Sequence, residues 1–352
     1  MRKVILVVIL ALLVLIVAIG AFFWYTMGKP LYEPGMLRAG QNLRAPLTPP
    51  EPSGDEHFWD VEQDIQLYHF SEGEGRNVLI VHGGPGYPFA QPWPGLEPLT
   101  NEYRFHYYDQ RGCGQSTRPI DRLPSTNYYE NMKALDQTLG LGAQVADMER
   151  IRQILGEGKL ILIGHSFGGF LASLYAAEFP DKVEAMILVA PADVLVMPQK
   201  EGGLFEEVRK RLPEDMQEEY AAYLEEYLDF KNIFSKSEAD LVALNEGFAK
   251  YYGTVFEASI PEQGRSGGWM VWAMYLSMGT RHDYRDALKD VNAPVLVIHG
   301  ADDLQPEEAS RTYVDAFPNA RFHVIEAATH FSFYEQPEEF AAVTGKFLNE
   351  LK

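Results

Sequence analysis

Apolar residues along this chain fall into three kinds of run. The first, Val4–Trp24 (VILVVILALLVLIVAIGAFFW), carries no charge and is long enough to cross a bilayer core of about 30 Å as a helix. Arg2 and Lys3 precede it, and Trp24 and Tyr25 close it, the flanks expected of an anchor whose amino terminus stays in the cytoplasm. It is longer than the apolar core of a cleaved signal peptide, about 7–15 residues. The pattern therefore predicts an uncleaved single-pass transmembrane anchor over residues 4–25, a membrane localisation, and a body on the extracytoplasmic side. The second kind is short and unbroken: NVLIVH at 77–82, FHYY at 105–108, LILI at 160–163, KVEAMILVA at 182–190, PVLVIH at 294–299 and ARFHVI at 320–325. Runs of this length without polar alternation predict strands buried on both faces of a sheet. FWDVEQDIQLYHF at 58–70 alternates and predicts one or two further strands. The third kind has helical spacing, over 128–155, after residue 169, and from Pro337 onward, where proline suits a first turn. Strand and helix alternating in this way predict an α/β chain with a mostly parallel sheet.

Two stretches break that rhythm. Residues 26–56 contain Pro30, Pro34, Pro46, Pro49, Pro50 and Pro52 and read as an extended stalk or an arm laid along the body, which starts near His57. Residues 191–290 are helical in pattern, first acidic, then aromatic (GGWMVWAMYLSMG), and separate a first part of the body, 57–190, from a second, 291–352. Trp269, Met270, Trp272, Met274, Tyr275 and Met278 are apolar nearly all round a helix. That pattern predicts a packed helix, with an apolar substrate pocket as the second reading. The six residues Asp147–Arg152 read as a solvated charged face.

Composition narrows the function. The 352 residues are 46% apolar, ample for a large core, and carry a net charge of −20. An acidic body argues against nucleic-acid binding, which needs basic surface. The single cysteine, Cys113, permits no intramolecular disulfide. No zinc-type ligand cluster and no dinucleotide-binding fingerprint is present, so the reading calls for no metal and no organic cofactor.

The chemistry centres on Gly164-His165-Ser166-Phe167-Gly168, a G-x-S-x-G between a predicted strand and a predicted helix. A sharp turn there pushes the serine out at the sheet's end, and glycines flank it because a Cβ would strike neighbouring backbone. The helix start aims free N–H groups at the serine. After the strand at 77–82 comes His82-Gly83-Gly84-Pro85-Gly86, whose backbone can approach a substrate closely. After 105–108 comes DQRGCGQS at 109–116, where Asp109 and Arg111 are expected to pair. Cys113 is set aside as a nucleophile because no partner pair points to it.

These three motifs, HGGPG, DQRGCGQS and GHSFGG in this order, resemble the proline iminopeptidase branch of the α/β-hydrolases, from about His57 to the end excluding the middle. The resemblance implies an α/β-hydrolase fold with a helical cap inserted at 191–290. It also implies a serine hydrolase that releases amino-terminal residues from short peptides. It makes Ser166 the nucleophile and His330, in the loop after the last strand, the base. The acid of its G-x-x-D loop falls on Asp303, with Asp302 as fallback, and the oxyanion N–H groups on Gly84 and Phe167. His165 is expected to pack under the turn. The family holds the substrate amine with cap carboxylates; here Gln263–His282 contains no Asp or Glu. Glu225, Glu226, Glu246, Glu257 and Glu262 remain, and none stands out. Two other functions stay open: an esterase or lipase-like hydrolase of apolar acyl esters, and a membrane-tethered binding protein on a hydrolase scaffold. Epoxide hydrolases and dehalogenases of this fold place Asp where Ser166 stands.

Overall fold

The short apolar runs form one eight-stranded sheet. Its strands are β1 (Phe58–Glu62), β2 (Ile65–Glu72), β3 (Arg76–Val81), β4 (Tyr103–Tyr108), β5 (Leu160–His165), β6 (Val183–Val189), β7 (Val295–Gly300) and β8 (Ala320–Ile325). The spatial order is β1-β2-β4-β3-β5-β6-β7-β8. β2 pairs antiparallel with β1 and β4, and every other neighbouring pair is parallel. This computed structural model describes Leu15 and residues 28–199, 203–256 and 260–351. The predicted anchor Val4–Trp24 lies, except for Leu15, outside the described residues. Among the described residues no helix is long and apolar enough to cross a membrane.

Alternation along the buried strands feeds two cores. Leu160 and Leu162 point to one, Ile161 and Ile163 to the other, and Leu188 and Val189 divide the same way. The first core lies under α1 (Tyr128–Leu139), α2 (Leu141–Ile154) and α3 (Phe167–Glu178). Between β6 and β7 come α4 (Leu204–Arg211), α5 (Glu214–Tyr227), α6 (Glu238–Val255) and α7 (Trp269–Met278). The chain ends with α8 (Glu307–Ala316) and α9 (Pro337–Asn349), the latter burying Phe340 and Phe347 in the second core. Helix α7 is packed core: Trp269, Met270, Trp272 and Met274 are fully buried, and Trp272 donates its indole N–H to Tyr227 O at 3.0 Å.

Three expectations are corrected. The helical stretch 128–155 is two helices, broken at Gly140, where a Cβ would lie 2.5 Å from Asp136 O. Asp147–Arg152 is not a solvated face. Asp147, Glu149 and Arg150 are buried, because charges distant in sequence meet them there. Arg111 donates to Asp147 Oδ2 at 2.6 Å and to Glu62 Oε1 at 2.8 Å, and Arg150 reaches the same two carboxylates at 3.0 and 3.1 Å. Burial works against the Glu62 carboxylate, but the guanidinium groups of Arg111, Arg150 and Arg44 overcome it and hold its pKa below the usual value. Arg111 therefore does not pair with Asp109. Asp109 accepts the Gln115 N–H at 2.7 Å, and burial pushes its pKa up to about 6.

Residues 28–54 run along the body. Tyr32 and Leu37 are buried. The fully buried carboxylate of Glu178, at the end of α3, accepts the Tyr32 hydroxyl (2.8 Å) and the N–H groups of Gly35 (2.6 Å) and Arg38 (2.9 Å). Arg150 donates to Pro46 O and Ala45 O at 3.0 and 3.1 Å.

Candidate active site

The parallel register sets the ends of β3, β5 and β6 side by side: Val81 pairs with Gly164, and Gly164 with Leu188. Loops leaving these carboxyl ends converge there, as open α/β sheets favour. Ser166 sits between β5 and α3 with φ 54° and ψ −123°, a conformation that a residue with a side chain adopts only when its surroundings hold it. They do. Its N–H donates to Val189 O at 2.9 Å, and its carbonyl accepts from Gly169 (2.9 Å) and Ala192 (3.0 Å). A Cβ on Gly164 would lie 2.6 Å from Gly168 O, and one on Gly168 would lie 2.0 Å from Val81 O. Both positions therefore need glycine.

His330 follows β8 and Asp303 follows β7, on adjacent strands. His330 Nδ1 donates to Asp303 Oδ2 at 2.9 Å, and the Asp303 side chain is fully buried. The second oxygen, Oδ1, accepts the Gln305 N–H at 3.0 Å. Asp302 is exposed. The Gln305 amide lies 3.4 Å from His330 Nδ1; since that nitrogen carries its proton toward Asp303, the amide gives its own N–H to Ala190 O at 3.3 Å. His165 Nε2 donates to His330 O at 2.9 Å, and burial holds His165 neutral, its pKa well below the ordinary value.

The HGGPG loop closes over the serine. Gly84 and Gly86 have φ of +119° and +81°, and a Cβ on Gly83 would lie 2.7 Å from Ser166 Cβ. Neither Gly84 nor Phe167 gives its N–H to an acceptor among the described residues. His82 donates from Nδ1 to Gly83 O (3.0 Å) and accepts the Gln110 N–H at Nε2 (3.2 Å), which braces this loop against the DQRG loop. Cys113 is fully buried, and burial pushes its thiol pKa up, which removes it as a nucleophile.

The family model for the alpha/beta hydrolase fold matches residues 76–337. The proline iminopeptidase of Heyndrickxia coagulans is 30% identical over 315 residues, covering 84% of this chain and 99% of that protein. The chain belongs to the α/β-hydrolases, in their proline iminopeptidase-like branch. The proline iminopeptidase of Lactobacillus acidophilus is 26% identical over 290 residues, 78% of this chain and 91% of that one. Two solved structures share the fold: an esterase from Exiguobacterium antarcticum (TM-score 0.55, 20% identity, 81% of this chain and 96% of that one) and a proline iminopeptidase from Mycobacterium smegmatis (TM-score 0.52, 21%, 82% and 96%).

In this hydrolase two cavities meet at Ser166 and Gly84. The smaller, about 140 Å³, contains His330 and is walled by Tyr87, Phe89, Phe248, Tyr252 and Phe331, with no carboxylate among the described residues. The larger, about 630 Å³, contains Phe167 and is walled by Asp193, Glu206 and Arg209 among apolar side chains. Only Tyr275 and Met278 of α7 reach it. Four of the acidic residues singled out between β6 and β7 line neither cavity: Glu226 pairs with Lys236 at 2.7 Å, Glu246 accepts from Ser266 Oγ at 3.3 Å, and Glu225 and Glu262 lie elsewhere. Glu257 is outside the described residues. Asp193 and Gln305 were not reached by sequence reasoning. Both lie in loops, where no periodicity marks a residue as facing a cavity.

Proposed function

We propose that this hydrolase works by acyl transfer through Ser166, His330 and Asp303, and that its substrates are short peptides from which it releases the amino-terminal residue. The observation that carries this reading is the pairing of His330 Nδ1 with the buried Asp303 carboxylate at 2.9 Å, in a cavity that also holds Ser166 in its forced turn. With Nδ1 committed to Asp303, Nε2 is the basic nitrogen. It takes the Ser166 proton as Oγ attacks the carbonyl carbon. The N–H groups of Gly84 and Phe167 receive the oxyanion, a contribution of about 3 kcal/mol per donor in a dry site. His330 then protonates the leaving amine, the acyl-enzyme forms, and water activated by the same nitrogen releases the acid. The relative at 30% identity over nearly its whole length supports the peptide substrate.

A covalent serine-hydrolase probe tests the chemistry. Labelling of the full chain, lost in Ser166→Ala, is the expected result; a folded wild type that stays unlabelled would make the chain a binding protein. One observation favours a second reading, an ester hydrolase: beyond Ser166, His165 and His330 itself, the described walls of the cavity that holds His330 are aromatic and apolar except for Gln263. Release from prolyl and other aminoacyl anilides, measured against acyl esters of short and medium chain, separates the two. The proposal extends to membrane attachment through Val4–Trp24, which fractionation and protease accessibility of intact cells would test.

A further inference from the structure

The two cavities divide the substrate between them. Phe167, one of the two oxyanion donors, faces only the larger cavity, and Gly84 faces both. His330, which hands a proton to the leaving group, faces only the smaller. The acyl part of a substrate, the part retained on Ser166, therefore extends into the larger cavity.

Among the described residues two carboxylates wall that cavity, and they differ. Glu206 is engaged by Arg209 at 2.7 Å. Asp193 has no ion pair and no side-chain hydrogen bond among the described residues, and burial alone pushes its pKa up. Its backbone is pinned between the nucleophile and the acid. Ala192 donates to Ser166 O at 3.0 Å, Tyr313 holds Ala192 O at 2.6 Å, and Asp193 itself donates its N–H to Gln305 Oε1 at 3.0 Å. Gln305 in turn gives its own N–H to Asp303 Oδ1. A half-buried carboxylate without a partner is costly, because it has lost water and gained nothing in return. An ammonium group entering the cavity restores that loss through a charge-assisted hydrogen bond. A neutral acyl chain does not, and an anion is repelled.

We infer that Asp193 is the specificity-determining residue that holds the free α-amino group of the substrate's first residue, so that the larger cavity selects cationic, unblocked amino termini. The inference rests on the aminopeptidase reading above and supplies its amine site from the loop after β6 rather than from the helices that follow.

The test compares prolyl and alanyl 4-nitroanilides with their Nα-acetylated counterparts in the full chain, with competent sites counted by the covalent serine probe. In wild type the free amines are preferred. In Asp193→Asn the ratio of kcat/KM between free and acetylated substrate falls about 10- to 100-fold, the worth of one hydrogen bond to a charged group, and the loss sits mainly in KM because the amine is held before and during reaction. Asp193→Glu, which keeps the charge, recovers part of the ratio. A wild type indifferent to acetylation would overturn the aminopeptidase reading and this inference with it. A wild type that prefers free amines, beside an Asp193→Asn that prefers them equally, would overturn the role of Asp193 and leave the aminopeptidase standing. Loss of probe labelling in both Asp193→Asn and Asp193→Ser would also overturn it, since Asp193 would then be supporting the serine turn.

Discussion

Ser166 and the glycines around it carry a constraint that can be measured without substrate. The 2.0 Å approach that a Cβ on Gly168 would make to Val81 O is to backbone, which cannot swing aside. Gly168→Ala is expected to push the start of α3 away from the end of β3 and to abolish probe labelling, with a fall in Tm visible by thermal melting. On the proposed triad, His330→Ala and Asp303→Ala are each expected to lower kcat by several orders of magnitude with little change in Tm, whereas Asp302→Ala, at an exposed position, is expected to keep its turnover. An active Asp303→Ala beside a dead Asp302→Ala would reverse the assignment. As candidates, Ser166 could be singled out from the chain because it stands between an apolar strand and a helix, and Asp303 and His330 through the resemblance of the motifs; the structure brings the last two to 2.9 Å. Asp193 and Gln305 could not be singled out. Their meaning depends on which loop of another strand lies opposite.

At the scale of elements, an unbroken apolar run needs no partner to declare itself, and β3 to β8 lie within a residue or two of the apolar runs that predicted them. Charges behave otherwise. On α2, Asp147 and Arg150 look like a solvated face until Glu62 from β1 and Arg111 from the loop after β4 arrive to pair with them. Removing one member leaves the others charged and dry. Asp147→Asn is therefore expected to cost about 3–5 kcal/mol of stability, read by urea unfolding. The antiparallel end of the sheet sets an acid limit. Burial pushes His69 of β2, stacked on Trp59, and His106 of β4 down to about 4. Unfolded histidine takes up its proton near 6.5. Stability contributed by these neutral imidazoles is thus complete above that pH and is lost as the pH falls toward 4. Asp109 and Asp136, raised by burial to about 6, act in the opposite sense. A difference between variants isolates the histidine: relative to His69→Phe, wild type should lose Tm progressively from pH 6.5 to 4. A constant difference over that range would refute it.

For the molecule as a whole, the proline-rich stretch was the least legible part, since Pro and Gly announce an extended chain without saying what it touches. The structure fastens it at Glu178 and again at Arg150. Glu178→Gln should speed limited proteolysis within residues 28–54 and lower Tm, with the cleavage sites read by mass spectrometry. Glu178 also ends the helix that Ser166 begins, and its three bonds to the arm precede β1 in the chain. A force applied upstream of residue 28 is borne first where Gly28 O accepts the Thr280 N–H and the Leu31 N–H reaches Ser277 O, at the end of α7, and then by the three Glu178 bonds, which pass it into α3 end-on, about 18 Å along the helix axis from the serine. The rod that starts at Ser166 thus doubles as a mooring post for the arm.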